Sequence, residues 1–563
     1  MRSRSIKAAF AAMLFAASAF GQAVTDPFDR PRTYDALHYV VKVRFDRSKR
    51  SIDAESSIKL RPLADGLRTL VFDSVGIRYR SVTLAGSGAP LAFKTGASDV
   101  TVTLDREYLS SETITINFAY SATPEKGIYF VNELVEDGKQ VRSDQIWTQG
   151  EPDEARHWFP SFDFPSDKAT TEQYITAESD ETVIGNGELI DKAQEPDGRV
   201  TWHYRMPLPH SVYLSSFVVG KYSKVAGRHK NIPLGYYVYP GMEEFAGRVF
   251  PETADMMRTF EDLTKVDFPY NKYDQTIVGA FKFGGMENIT ATTLADTEVM
   301  FANFGFGREI VTDLISHELA HSWFGDLVTC ANWAELWLNE GFATFMEAAY
   351  LEKKLGRTPY LRKIQQDAGS FLADDAVTRR RHGLYNRRAK EVDKLFDNAS
   401  VTYNKGGVVL HMLREEIGDE AFWSGVKIYL DRHKFDSVRS SDLRKAMEEA
   451  SGADLGWFFD QWVYGVGHPV LSVQPVYSVS KRQMKFTVTQ MQTAARATPA
   501  TYRLPLQVQI AAGGKTVNER LLITKRTEVF TIPMAVKPRA ITADPDKKLP
   551  IVEVRIKPVL AGR

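Results

Sequence analysis

The chain is almost without cysteine. Cys330 stands alone among 563 residues, so no internal disulfide can form and stability must come from packed cores, which a chain of this size can supply. In Leu-Val-Thr-Cys it reads as a small packing residue rather than a reactive thiol. Net charge is also missing: 71 Lys and Arg face 71 Asp and Glu. That balance argues against nucleic acid or an anionic membrane surface as the main partner. Beyond the first 20 residues no apolar run approaches the roughly 18 residues of a membrane-crossing helix. Internal repeats and low-complexity stretches are absent, which sets solenoids and disordered tails aside.

What is present describes an ordinary globular protein, 43% hydrophobic and 25% charged, but too long for one core. The N-terminus has the pattern of an export signal. Arg2, Arg4 and Lys7 precede an apolar stretch from Ala8 to Phe20, and Gly21-Gln22-Ala23 offers a small-x-small cleavage site. Residues 1–23 are therefore expected to be removed, leaving a mature chain from Val24 that works in the periplasm or is secreted. No cysteine lies near the cleavage site, so no lipid anchor is expected. The densest basic run, Arg379 to Arg381 with Arg387 and Arg388, reads as a solvated loop.

The chemistry concentrates in His317-Glu318-Leu319-Ala320-His321, with Glu340 nineteen positions beyond the second histidine. Apolar spacing predicts a helix over 308–325, with Ile310, Leu314, His317, His321 and Gly325 on its buried stripe. Two histidines one turn apart can share a tetrahedral ion, with a carboxylate as third ligand and the fourth position open to water. Glu318 is the natural general base for that water. A second helix over about 333–355, closed by Gly356, would carry Trp337, Glu340, Gly341, Thr344, Ala348 and Leu351 inward. A lone carboxylate in that apolar company is costly unless a cation shares the site.

Alternation of apolar and polar residues, as at Tyr39, Val41, Val43 and Phe45, predicts an antiparallel β domain over 24–225. Helical periodicity takes over for 226–467, with further helices at 405–417 and 440–451. Alternation returns over 468–563 and ends near the turn Asp544-Pro545-Asp546. The fold class is thus multidomain α+β.

HELAHSWFGDLVT, LWLNEGFATF and the upstream Gly284-Gly285-Met286-Glu287-Asn288 have the order and spacing of the M1 aminopeptidases, the gluzincin group that includes aminopeptidase N and leukotriene A4 hydrolase. The sequence resembles that family from about residue 35 to 475. The resemblance implies a β-saddle, a thermolysin-like catalytic domain and a C-terminal β-sandwich, in a short form without the helical domain that covers the cavity of larger members. It implies one zinc on His317, His321 and Glu340, with Glu318 and Tyr403 as catalytic residues, Tyr403 donating to the developing oxyanion. It gives Glu287 the substrate amine, with Gln149 and Glu151 helping, and gives Phe283, Gly284, Gly285, Met286 and Asn288 to the substrate-binding wall. The function implied is removal of N-terminal residues from peptides with a free amine. The alternatives are an epoxide hydrolase of the leukotriene A4 hydrolase type, a thermolysin-like endopeptidase, and a peptide-binding protein without catalysis.

Overall fold

The computed structural model describes residues 26–562, apart from Phe306 and Arg496. The export signal read at residues 1–23 lies outside the described residues. Strands β1 (Tyr34–Asp46) and β2 (Ser51–Pro62) alternate buried and half-exposed side chains, as a sheet with one covered face requires. They lie in a seven-stranded sheet. Nearby, β3 (Gln145–Thr148) belongs to a separate four-stranded sheet and is buried throughout. The expected all-antiparallel domain needs correction at one point: β1 pairs in parallel with β4 (Lys168–Ala177), in a register that sets Val41 opposite Gln173. A parallel neighbour needs a long crossover, and here more than 120 residues intervene, a separation that alternation along either strand does not encode.

The middle of the chain opens with a five-stranded sheet that contains β5 (Tyr273–Val278), the two-residue β6 (Gly285–Met286) and β7 (Ala291–Ala295). β6 pairs with β7 alone and so forms the edge of this sheet. Four helices then build the site: α1 (Gly307–Ala320), α2 (Trp337–Leu355), α3 (Arg357–Val377) and α4 (Gly406–Ile417). α2 is buried at every position from Trp337 to Leu351. It is a central helix wrapped on all sides rather than a surface helix with one inward face.

α1 departs from expectation in two ways. It ends at Ala320, because His321 enters a turn in which its Nδ1–H donates to Phe324 O at 2.9 Å. Its buried stripe is Val311, Ile315, Glu318 and Leu319. Leu314, His317 and His321 instead line the cleft, the first two half-buried and His321 buried, while Ile310 is 47% exposed.

The C-terminal region is strand-rich, from Val470–Ser478 to Leu560–Gly562, and its buried side chains join the same apolar core as the helices. The N-terminal strands have a core of their own. No helix among the described residues is long and apolar enough to cross a membrane. Cys330 is fully buried, in keeping with a packing role.

Candidate metal centre and cavity

α1 and α2 bring His317, His321 and Glu340 together, with one ligand atom of each within 4.8 Å of the others. Glu340 Oε2 lies 3.2 Å from His317 Nε2 and 3.4 Å from His321 Nε2. Each imidazole is aimed from behind. Glu347, seven residues after Glu340, accepts from His317 Nδ1 at 2.7 Å, and Phe324 O accepts from His321 Nδ1. Carboxylate and carbonyl oxygens only accept, so both Nδ1 atoms carry hydrogen and both Nε2 atoms are left as the positions for a proton or a metal.

The electrostatics agree. Burial would neutralise these groups, yet His321 and His317 outweigh it and hold the Glu340 carboxyl down at about 2. Hydrogen bonds to Glu340 and Glu347 likewise overcome burial at His317 and push its imidazole up to about 10. The cluster therefore favours positive charge at its centre. Two imidazoles, one carboxylate and an open side toward a cavity fit a catalytic zinc ion.

That cavity measures about 390 Å³ and reaches all three ligands, Glu318 and Tyr403. Glu318 is buried, and its Oε2 has no hydrogen-bond partner. Its other oxygen occupies space that a side chain at residue 285 would fill: a Cβ on Gly285 would stand 2.1 Å from Glu318 Oε1. Burial, opposed by His317 and His321, pushes the Glu318 carboxyl up to about 8, and a cation on the neighbouring ligands acts in the opposite sense. Tyr403 projects from the π turn Val401–Lys405, a bulge of the kind frequent at functional sites. Its ring stacks on His317 with centroids 5.9 Å apart. Burial, then the charges of Glu340, Glu151 and Glu287, keep its phenol protonated and hence a donor.

The opposite wall is acidic. One carboxylate oxygen each of Glu151, Glu287 and Glu340 lie within 4.8 Å of one another, all buried. Glu151 Oε1, Glu287 Oε1 and Gln149 Oε1 are buried without a hydrogen-bond partner. Burial and the Glu287 charge push the Glu151 carboxyl well above its ordinary range. Gln149 and Glu151 leave the end of β3, which is pinned across to the loop after β5 by two bonds. Trp147 Nε1–H donates to Gly279 O at 3.0 Å, and Gly279 N–H donates to Gln145 Oε1 at 2.9 Å. Gln149 Nε2–H also donates to Met286 Sδ at 3.1 Å.

Of the remaining sequence-derived residues, Gly285 and Met286 line the cavity and Phe283 stands at its mouth, 53% exposed. Gly284 and Asn288 do not reach the wall. Gly284 turns the chain at φ +76° beside Leu314, and Asn288 points into the core, where its Nδ2–H donates to Thr293 Oγ1. None of the five arginines between 379 and 388 lines the cavity; Arg381 pairs with Asp375 and Arg387 donates to Tyr464 O. Sequence reasoning missed Glu347 and the apolar side chains of Phe396 and Ala399. The spacing of Glu347 from Glu340, two helical turns, was the signal available for the first.

Comparison with known proteins gives two family matches: a Peptidase M1 N-terminal domain over residues 35–214 and a Peptidase family M1 domain over 249–462. Together they account for more than half of the chain. Among curated proteins, Aminopeptidase 2 of Candida albicans is 28% identical over 79% of this chain and 49% of its own length. Aminopeptidase N of Streptomyces lividans is 35% identical over 58% of this chain and 38% of its own. Leucyl aminopeptidase of Saccharolobus solfataricus is 25% identical over 82% and 57%. The chain thus spans about half the length, or less, of the first of these relatives.

Proposed function

The chain belongs to the M1 peptidase family, and from that premise we propose that it is a zinc-dependent aminopeptidase that removes one residue at a time from peptides with a free α-amine. The observation that carries this reading is the acidic wall. Glu151, Glu287 and Gln149 present buried acceptor oxygens without a hydrogen-bond partner, Glu287 Oε1 standing 4.0 Å from His321 Nδ1, a few ångströms from a metal-ligand cluster. Orphaned buried carboxylates are costly, and a substrate ammonium between Glu151 and Glu287 removes that cost with charge-assisted hydrogen bonds.

The ammonium fixes the first residue, so the scissile carbonyl falls beside His317, His321 and Glu340. Those three side chains would hold one zinc ion, which would supply Lewis acidity to the carbonyl and to the attacking water. Glu318 takes the proton of the attacking water and delivers it to the leaving nitrogen. Tyr403 donates to the carbonyl oxygen as negative charge develops there, an interaction that acts mainly on the transition state. The edge of β6 runs beside this path, and its unpaired side can accept the peptide backbone as an added strand. The products are a free amino acid and a peptide shorter by one residue.

Within the same reading, residues 24–225 form a β-saddle, 226–467 a thermolysin-like catalytic domain and 468–563 a β-sandwich. The leader at 1–23 directs export to the periplasm or the medium.

The deciding assay compares aminoacyl anilides with free and acetylated amines. Acetylation removes the charge and adds bulk where two carboxylates meet, so kcat/KM should drop at least about 10³-fold. In Glu287→Ala the free substrate should lose most of its advantage over the blocked one. Efficient cleavage inside a blocked peptide would instead favour an endopeptidase.

A further inference from the structure

On the Nδ1 side of His317 lies a second, buried group of charges. Lys363 of α3 places its Nζ 2.7 Å from Glu347 Oε2 of α2, 3.1 Å from Asp367 Oδ1 one turn along its own helix, and 3.7 Å from Asp313 Oδ2 of α1. Its side chain is only 13% exposed. Burial alone would strip its proton, but Glu347, Asp367 and Asp313 outweigh that effect and hold the ammonium charged.

Two of these contacts lead directly to the chemistry. Glu347 uses its other oxygen, Oε1, to accept from His317 Nδ1 at 2.7 Å. Asp367 Oδ1 also accepts from Asn404 Nδ2 at 2.9 Å, and Asn404 is the neighbour of Tyr403 in the π turn. One ammonium therefore lies two contacts from the metal-binding imidazole on one side and two contacts from the backbone that carries the phenol on the other. A π turn is an irregularity that persists only where its surroundings hold it, and Asp367 to Asn404 is a direct hydrogen bond from α3 to this turn, beside Lys405 over the Phe371 ring. An ammonium suits the hub because its three donors diverge, whereas the guanidinium of arginine presents a planar fork.

We propose that Lys363 is a positioning residue: it fixes His317 through Glu347 and the Tyr403 turn through Asp367 and Asn404, and so sets the metal ligand and the phenol in register. The Tyr403 half rests on the aminopeptidase reading above; the His317 half does not.

The test uses full-length holoenzyme and two readouts, zinc affinity by competition with a chromophoric chelator and the split between kcat and KM. Lys363→Met leaves Glu347 without its counter-charge, so zinc affinity should fall at least about 10-fold, with kcat reduced and KM changed little. Lys363→Arg should recover part of both. Asn404→Ala cuts only the second arm, so kcat should fall several-fold while zinc affinity stays at the wild-type value.

Wild-type zinc affinity in folded Lys363→Met overturns the metal arm, and wild-type kcat in Asn404→Ala overturns the tyrosine arm. A lower melting temperature with both readouts unchanged makes Lys363 merely structural, which also overturns the proposal. Should Lys363→Met not fold, Lys363→Arg takes its place: a several-fold loss of zinc affinity supports the metal arm and no loss overturns it. If the wild-type protein cleaves no aminoacyl substrate, the functional reading fails while the zinc measurement still decides the His317 half.

Discussion

Gly341 and Gly406 bring α2 and α4 together backbone to backbone: a Cβ on Gly406 would stand 2.7 Å from the Cα of Gly341. Gly341 follows the metal ligand Glu340, and Gly406 comes three residues after Tyr403. The separation of ligand and phenol is thus set where two helices have no side chains between them.

Gly406→Ala should force the helices apart by a fraction of an ångström to about 1 Å. A displacement of that size near the reacting atoms costs up to roughly 10²-fold in rate, and overpacking costs about 1–3 kcal/mol of stability. Kinetics and thermal melting should show kcat and melting temperature falling together, with zinc still bound.

His317→Ala or Glu340→Ala should abolish zinc binding, since three ligands leave none to spare. Glu318→Gln should keep the metal and lose turnover, because an amide cannot accept the proton. Elemental analysis beside a rate assay separates the two. Stoichiometric zinc in His317→Ala would sink the ligand assignment, and near-normal turnover in Glu318→Gln would remove Glu318 as the base.

Tyr403→Phe should lower kcat by roughly 10²-fold with KM almost unchanged, the scale of losing one oxyanion donor. The ring still stacks on His317, so zinc content should not change. An unaltered kcat would return Tyr403 to a packing role.

His210 makes acid stability testable away from the metal. It is fully buried in β-domain packing, with Nδ1–H donating to Leu208 O at 3.1 Å, and burial lowers its pKa to about 4. The unfolded chain takes up this proton near pH 6.5, so the folded state loses ground as pH falls from about 6.5 to 4, by at most about 3 kcal/mol. Urea unfolding at pH 7, 5.5 and 4.5 should show a shallower acid decline for His210→Gln than for the wild type. The comparison cancels proton uptake at the metal cluster, which both proteins share. Equal declines would refute the assignment.

The cluster able to hold a metal is legible because its geometry is local: His317 and His321 are one helical turn apart, and Glu340 stands out as a carboxylate in an apolar stripe. Tyr403 was not legible from periodicity, since a π turn breaks the helical count on which such reading depends; only the family resemblance pointed to it. Of the row Ile310, Leu314, His317 and His321, the structure buries His321, half-buries Leu314 and His317 and exposes Ile310, because a helix pattern cannot distinguish a core from a cleft. Lys363 and Asp367 resemble an ordinary surface pair at i, i+4. Their burial follows from how α3 packs on α1 and α2, which no local pattern encodes.

The missing side chain at Gly285 ties two parts of the enzyme together. The edge strand β6 and the carboxylate proposed to attack through water share one volume, so the strand is not free to diversify there. Even alanine at this position would evict Glu318 from its seat. On the aminopeptidase reading, variety in the cavity wall is left to neighbours such as Phe283, Leu314 or Phe396, while residue 285 is held bare by the carboxylate behind it.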